Sequence, residues 1–143
     1  MSPPIHLLLK LRSSLLFHTH RRSPMPRYVD GFVLPVPKKN IAAYKKLAKM
    51  AARVWKDHGA LQYCESMGED LDTKGMKTFP QLVKPKKGEV VFFSYITYKS
   101  RKHRDKVNAA VMKDPRLAAL MPKDMPFDVK RMAYGGFEVL VES

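Results

Sequence analysis

Asp30 is the first residue whose setting asks for a chemical explanation. It interrupts an otherwise apolar run, YVDGFVLPV over 28–36, and an acid in such a run needs a partner, because a lone buried carboxylate is too costly to keep charged. The bases able to reach it open the segment that follows Ser100: Arg101, Lys102, His103 and Arg104. Two readings fit. Asp30 and Arg104 form a structural pair that clamps a helix to a sheet, which is the simpler one. Alternatively, Asp30 orients one base at a helix N-terminus that receives an anionic ligand. Tyr98, just before that helix, belongs to the same neighbourhood.

Four further residues extend this list or leave it. His103 shares the apolar side of its helix with Val107, so it reads as a hydrogen-bonded histidine at the core edge, with general acid–base work as the alternative. Tyr134 either lines a cavity between sheet and helices or packs in the core. Arg131 falls near Pro35 along the sheet, too far for Asp30, with Asp128 as its nearer partner. The pocket candidates are therefore Asp30, Tyr98, His103, Arg104, Arg131 and Tyr134. His58 stands beside Gly59, where its charge favours the end of a helix. The string His103-Arg104-Asp105 matches part of a kinase catalytic loop, but no glycine-rich loop accompanies it. No spacing of His, Cys, Asp or Glu suggests a metal, and no cofactor motif is present, so no reaction can be named.

Positioning these residues takes six elements. Residues 28–36 and 89–98 (EVVFFSYITY) read as strands rich in β-branched and aromatic types. The pattern over 38–58 is helical: at about 100° per residue, Ile41, Tyr44, Leu47, Ala48, Ala51, Val54, Trp55 and His58 form one stripe, with lysines and Arg53 opposite and Gly59 as the stop. Residues 60–67 suit a short edge strand. A polar connection from Gly68 to Gly88 follows, long enough to be an interface or functional arm, with a short strand expected over 78–84 (TFPQLVK). Ser100 caps a second helix running to about Lys113. Asp114-Pro115 restarts a helical turn. The last strand is expected over 130–141, where Gly135-Gly136 signals a bulge or a close backbone contact.

The order βαββαβ implies a ferredoxin-like α+β fold: a four-stranded antiparallel sheet, strand order 4-1-3-2, with both helices on one face. Strands one and three are apolar on both faces. One apolar set lies beneath the helices and the other lacks a cover, so two sheets packed face to face, a dimeric α+β barrel, are expected. The RNA-recognition motif shares this order but needs a basic residue and a glycine in its third strand, where Glu89-Val90-Val91-Phe92-Phe93 stands here.

The chain fits one domain, 25–143, preceded by an extension over 1–24. That extension holds Lys10, Arg12, Arg21 and Arg22 and no acid. It reads as a translated upstream stretch, with Met25 the initiator, or else as an organellar transit peptide. His18 and His20 within it do not make a metal site. Cys64 is the single cysteine, which excludes an internal disulfide framework and fits a reducing compartment; it is expected to be a small buried thiol. No apolar run approaches the roughly 18 residues of a membrane span. The net charge of +14 invites polyanions, and the lysine face of the first helix is where they would bind.

The segments YVDGF (28–32), HGALQYCE (58–65), EVVFFSYITYKSRKHRD (89–105), MKDPRL (112–117) and MPFDVKRMAYGGF (125–137) closely resemble the YbaA-like family of uncharacterised, mostly bacterial proteins. The resemblance covers about residues 25–141 and implies a dimeric α+β barrel in the cytoplasm, with no established activity. Three functions stay open: a homodimer that binds a small metabolite, an anion being one option, between sheet and helices; a nucleic-acid-associated protein acting through its basic helix; and a purely structural dimer.

Overall fold

The computed structural model describes residues 27–121 and 123–143; the extension over 1–24, with His18 and His20, lies outside them. Two strands, β1 (Tyr28–Pro37) and β3 (Glu89–Tyr98), form the centre of the sheet, paired antiparallel from Tyr28 opposite Tyr98 to Pro37 opposite Glu89. β2 (Gln62–Met67) borders β3, and β4 (Ala133–Glu138) borders β1. The order β2-β3-β1-β4 is the expected ferredoxin-like topology. The two strands that are apolar on both faces are the central ones, each paired with a neighbour on either edge.

One face carries the helices. A 3-10 turn (Lys38–Asn40) leads into α1 (Ile41–Asp57), whose stripe buries Tyr44, Ala48 and Val54 while Lys45, Lys46, Lys49 and Arg53 stay exposed. Gly59, at φ 111°, turns the chain out of α1 as only glycine does readily. α3 (Arg101–Lys113) begins at Ser100, whose hydroxyl accepts from the His103 N–H at 3.0 Å. α4 (Pro115–Leu120) begins at Asp114 in the same way, with its proline in the first turn. Val54, Val107, Val111 and Tyr98 meet between these helices and the sheet. No helix among the described residues is long and apolar enough to cross a membrane.

The connection over 68–88 departs from expectation. Residues 79–83 form a short helix, α2 (Phe79–Val83), and not a strand. Thr78 and Gln81 make a reciprocal capping box: Gln81 N–H donates to Thr78 Oγ1 at 3.3 Å and Thr78 N–H to Gln81 Oε1 at 2.9 Å. With Pro80 in the first turn, these local bonds outweigh the β-preference of the surrounding residues. α2 then lays Val83 against Val33 and Val91 on the second face of the sheet, with Leu71 and Ala133 beside them. That face is therefore covered at one end by the chain itself. At the other end Phe93 is 42% and Phe137 60% exposed, with Phe79 and Leu82 at the rim.

Two smaller differences follow from β4 and β2 being edges. The last strand is shorter than expected, because Asp128 caps a 3-10 turn over Val129–Arg131 before it. Cys64 is half-buried on the second face, not enclosed. The glycine pair does mark a close contact: a Cβ at Gly136 would collide with the Tyr28 hydroxyl.

Candidate functional site

The sheet register sets two polar groups on the helix-covered face. Directly opposed residues point to the same side, so Tyr28 and Tyr98 form one row, Tyr63, Ile96, Asp30 and Gly136 the next, and Glu65, Ser94, Phe32 and Tyr134 the third.

The first group surrounds Asp30, which is 1% exposed. Arg104 reaches down from α3, its Nε 3.8 Å from Asp30 Oδ1 and 3.2 Å from Asp105 Oδ1. Its other nitrogens donate to the Tyr134 hydroxyl at 2.9 Å and the Tyr28 hydroxyl at 3.0 Å, and the guanidinium lies over the Tyr28 ring. Asn108 Nδ2 faces Asp30 Oδ2 at 3.5 Å, while its Oδ1 accepts from Tyr98 and from the Trp55 ring N–H, both at 3.1 Å. Burial and the Asp30 charge push the Tyr98 and Tyr134 hydroxyls up, so both remain neutral. Four sequence candidates thus converge: Asp30, Tyr98, Arg104 and Tyr134. Arg104 is committed to the sheet, and the α3 N-terminus is closed by Ser100, so this group reads as a clamp.

The other two candidates stand apart. His103 turns to the loop before α3, where its Nδ1 accepts from the Lys99 N–H at 3.0 Å and its ring meets Tyr98 edge-on. Burial and the charges of Lys99 and Lys106 depress its pKa. Arg131 pairs with Glu89, at 2.8 and 2.9 Å, and not with Asp128. Asp128 is occupied by the Lys130 N–H of its own turn, and Glu89 at the start of β3 is presented squarely to the guanidinium.

The second group was not among the sequence candidates. Glu65 on β2 receives the Tyr44 hydroxyl on Oε2 at 2.6 Å and the Tyr63 hydroxyl on Oε1 at 3.1 Å. Burial raises the carboxyl, opposed by these hydrogen bonds and by Ser94. Burial and Glu65 also push both tyrosines up, holding them as neutral donors. This trio forms the polar wall of a cavity of about 240 Å³ between the sheet, α1, α4, Met121 and the segment over 123–132. Phe32, Trp55, Leu117, Leu120, Phe127 and Met132 supply much of the apolar lining. Its one trace in the sequence is phase: Tyr63, Glu65 and Met67 fall on one face of an edge strand, with nothing local to say which face is inward.

Two tethers hold the roof of this cavity. Asn40 Nδ2 donates to the Pro126 carbonyl at 3.0 Å. At the end of α1, Asp57 and His58 engage Arg116 and Asp114, both at 2.7 Å, so His58 has a specific partner and not merely a favourable dipole. Arg116, then His58, hold the Asp114 carboxyl well below its usual range. A carboxyl depressed in the folded state adds stability above its unfolded value and loses it as the pH falls. Asp114→Asn keeps the cap but removes the charge. It should lower the urea midpoint at about pH 7 and less at about pH 2.5, where the carboxyl of the unfolded chain is protonated while the folded state still holds the charge. An equal loss at both values would show that the charge does not hold this tether.

Among the described residues no three of His, Cys, Asp and Glu converge as a metal would require. None of the exposed α1 bases Lys45, Lys46, Lys49 and Arg53 forms an ion pair among the described residues.

Comparison with known proteins agrees with the fold. The uncharacterised protein YbaA of Escherichia coli K12 is 41% identical over 116 residues, spanning 81% of this chain and 98% of that protein. The protein of the same name in Shigella flexneri matches to the same extent. Among solved structures, a dimeric ferredoxin-like protein from an uncultured marine organism superposes with a TM-score of 0.50 at 8% identity, covering 85% of this chain and 94% of that one. The model of a family of proteins of unknown function, DUF1428, matches residues 27–129. With the family model spanning most of the domain and YbaA aligned along nearly its whole length, the chain belongs to the DUF1428 family.

Proposed function

We propose that this protein is a homodimer that binds a small molecule in the cavity between its sheet and the helices α1 and α4. The observation that carries this reading is the cavity itself: about 240 Å³ of apolar lining around one hydrogen-bonded carboxylate. Well-packed cores hold few voids larger than a water, and an apolar pocket with a few convergent polar groups is the usual form of a small-molecule site. The dimer is supported by the exposed aromatic end of the second sheet face and by the marine protein of the same fold, which is described as dimeric. A cytoplasmic setting is supported by the single cysteine.

Ala51, in the middle of α1, lines the cavity. Ala51→Phe should fill it, so that the variant keeps its cooperative melting but no longer responds to any ligand that raises the parent's Tm. A thermal-shift screen of small metabolites supplies the ligand, since one present at a hundred times its Kd stabilises by about 2.7 kcal/mol. A ligand that shifts parent and Ala51→Phe alike binds elsewhere, and a broad screen without any hit would end the proposal.

A further inference from the structure

Among the described residues lining the cavity Glu65 is the only charged one, with no Lys, Arg or His beside it. The surrounding chain is strongly basic, so the charge presented inside is opposite in sign to that of the whole molecule. The hydrogen bonds show which role is left to a ligand. Both tyrosine hydroxyls donate to the carboxylate, one to each oxygen. A carboxylate offers about four acceptor positions, so each oxygen retains room for another donor. The Tyr44 and Tyr63 protons are already committed. The Ser94 hydroxyl, beside the same carboxylate, is the one further O–H donor in the described lining, so the site presents acceptors and no cationic donor to a ligand's own acceptors.

Aromatic rings flank the two tyrosines that hold these oxygens. Phe127 meets Tyr44 edge-on with ring centroids 5.6 Å apart, and Trp55 lies 6.1 Å from Tyr63. Ring faces attract cations. A carboxylic acid ligand would meet the opposite conditions: desolvation in an apolar cavity beside a like charge.

We infer that the cavity selects an apolar amine, its ammonium group donating to the Glu65 carboxylate and its hydrocarbon body packed against Phe32, Leu117 and Phe127, and that it excludes carboxylic acids of the same shape. This inference rests on the reading that the cavity binds a small molecule.

Three probes of one shape test it: phenethylamine, phenylacetate and ethylbenzene, titrated by calorimetry into the parent, Glu65→Gln and Ala51→Phe. In the parent the amine is expected to bind about tenfold tighter than ethylbenzene, or about 1.4 kcal/mol, and phenylacetate more weakly than either. Glu65→Gln keeps acceptor and shape for Tyr44, so it should fold as the parent does and bind ethylbenzene unchanged, with the amine's advantage gone. Ala51→Phe should bind none of the three, which separates the cavity from surface carboxylates. If phenylacetate matches the amine, or the amine keeps its lead in Glu65→Gln, the inference is overturned while ethylbenzene binding still supports the cavity. If Glu65→Gln does not fold, the parent's ranking of amine over ethylbenzene over acid decides alone. If no probe binds the parent, both the cavity reading and this inference fall.

Discussion

Arg104→Met is expected to destabilise the fold by about 3–5 kcal/mol, because it leaves the Asp30 carboxylate buried without its cation. Asp30 has 1% exposure and, among the described residues, no hydrogen-bond partner on Oδ1 and only Asn108 at 3.5 Å on Oδ2. The guanidinium also anchors the hydroxyls of Tyr28 and Tyr134, so its removal loosens the sheet beneath α3. Since small domains have about 5–15 kcal/mol in all, the loss should be plain as a fall in urea midpoint at unchanged m-value. Asp30→Asn removes the buried charge and leaves a guanidinium that is 16% exposed and still bonded to two tyrosines; it should cost less, about 1–3 kcal/mol. The double variant Asp30→Leu with Arg104→Met is the decisive comparison. Replacing both charges by apolar groups should recover much of the loss. A double variant no more stable than Arg104→Met would show that the pair is not the energetic unit.

A charge at Phe93 should have the largest effect on assembly. Phe93 stands on the central strand β3, on the face away from α1 and α3, with its ring between those of Phe79 and Tyr95. In a two-fold dimer built on this face the substitution acts twice. Two desolvated carboxylates at an apolar interface should weaken association at least about a thousandfold, or about 4 kcal/mol. Sedimentation equilibrium should then give a dimer for the parent and a monomer for Phe93→Glu at micromolar concentration. Met112→Glu, an exposed position on α3, should leave the dimer intact. A parent that is monomeric, or a Phe93→Glu protein that still dimerises, would remove this face from the interface.

The uncovered sheet face was legible because Val91, Phe93 and Tyr95 alternate with Val90, Phe92 and Ile96, and two helices can cover only one of the two sets. Its extent was not legible, because covering one end depended on whether residues 78–84 formed a strand or a helix. Thr78 and Gln81 decide that locally, and their spacing was there to be read. Asp30 and Arg104 were legible as a pair for a simpler reason: a charge in a central strand must find its opposite, and only one helix begins near it.

Glu65 and Arg131 show where such reasoning stops. In an edge strand such as β2, polar and apolar residues occur on both faces, so Gln62, Glu65 and Ser66 do not declare which side is inward. Only the pairing of Glu65 with Ser94, next to Phe32, turns the carboxylate beneath α1. Arg131 faced the choice of a near acid in sequence and a distant one in space, and the folded chain brought Glu89 across 42 positions to meet it. The sequence by itself determined the order of elements, the two central strands, the helix caps at Ser100 and Asp114, and the need of Asp30 for a cation, since each follows from local periodicity or from the cost of a lone buried charge. The tertiary structure alone decided the cavity, the Glu65–Tyr44–Tyr63 trio and the share of the second face left open, since these depend on which distant segments meet.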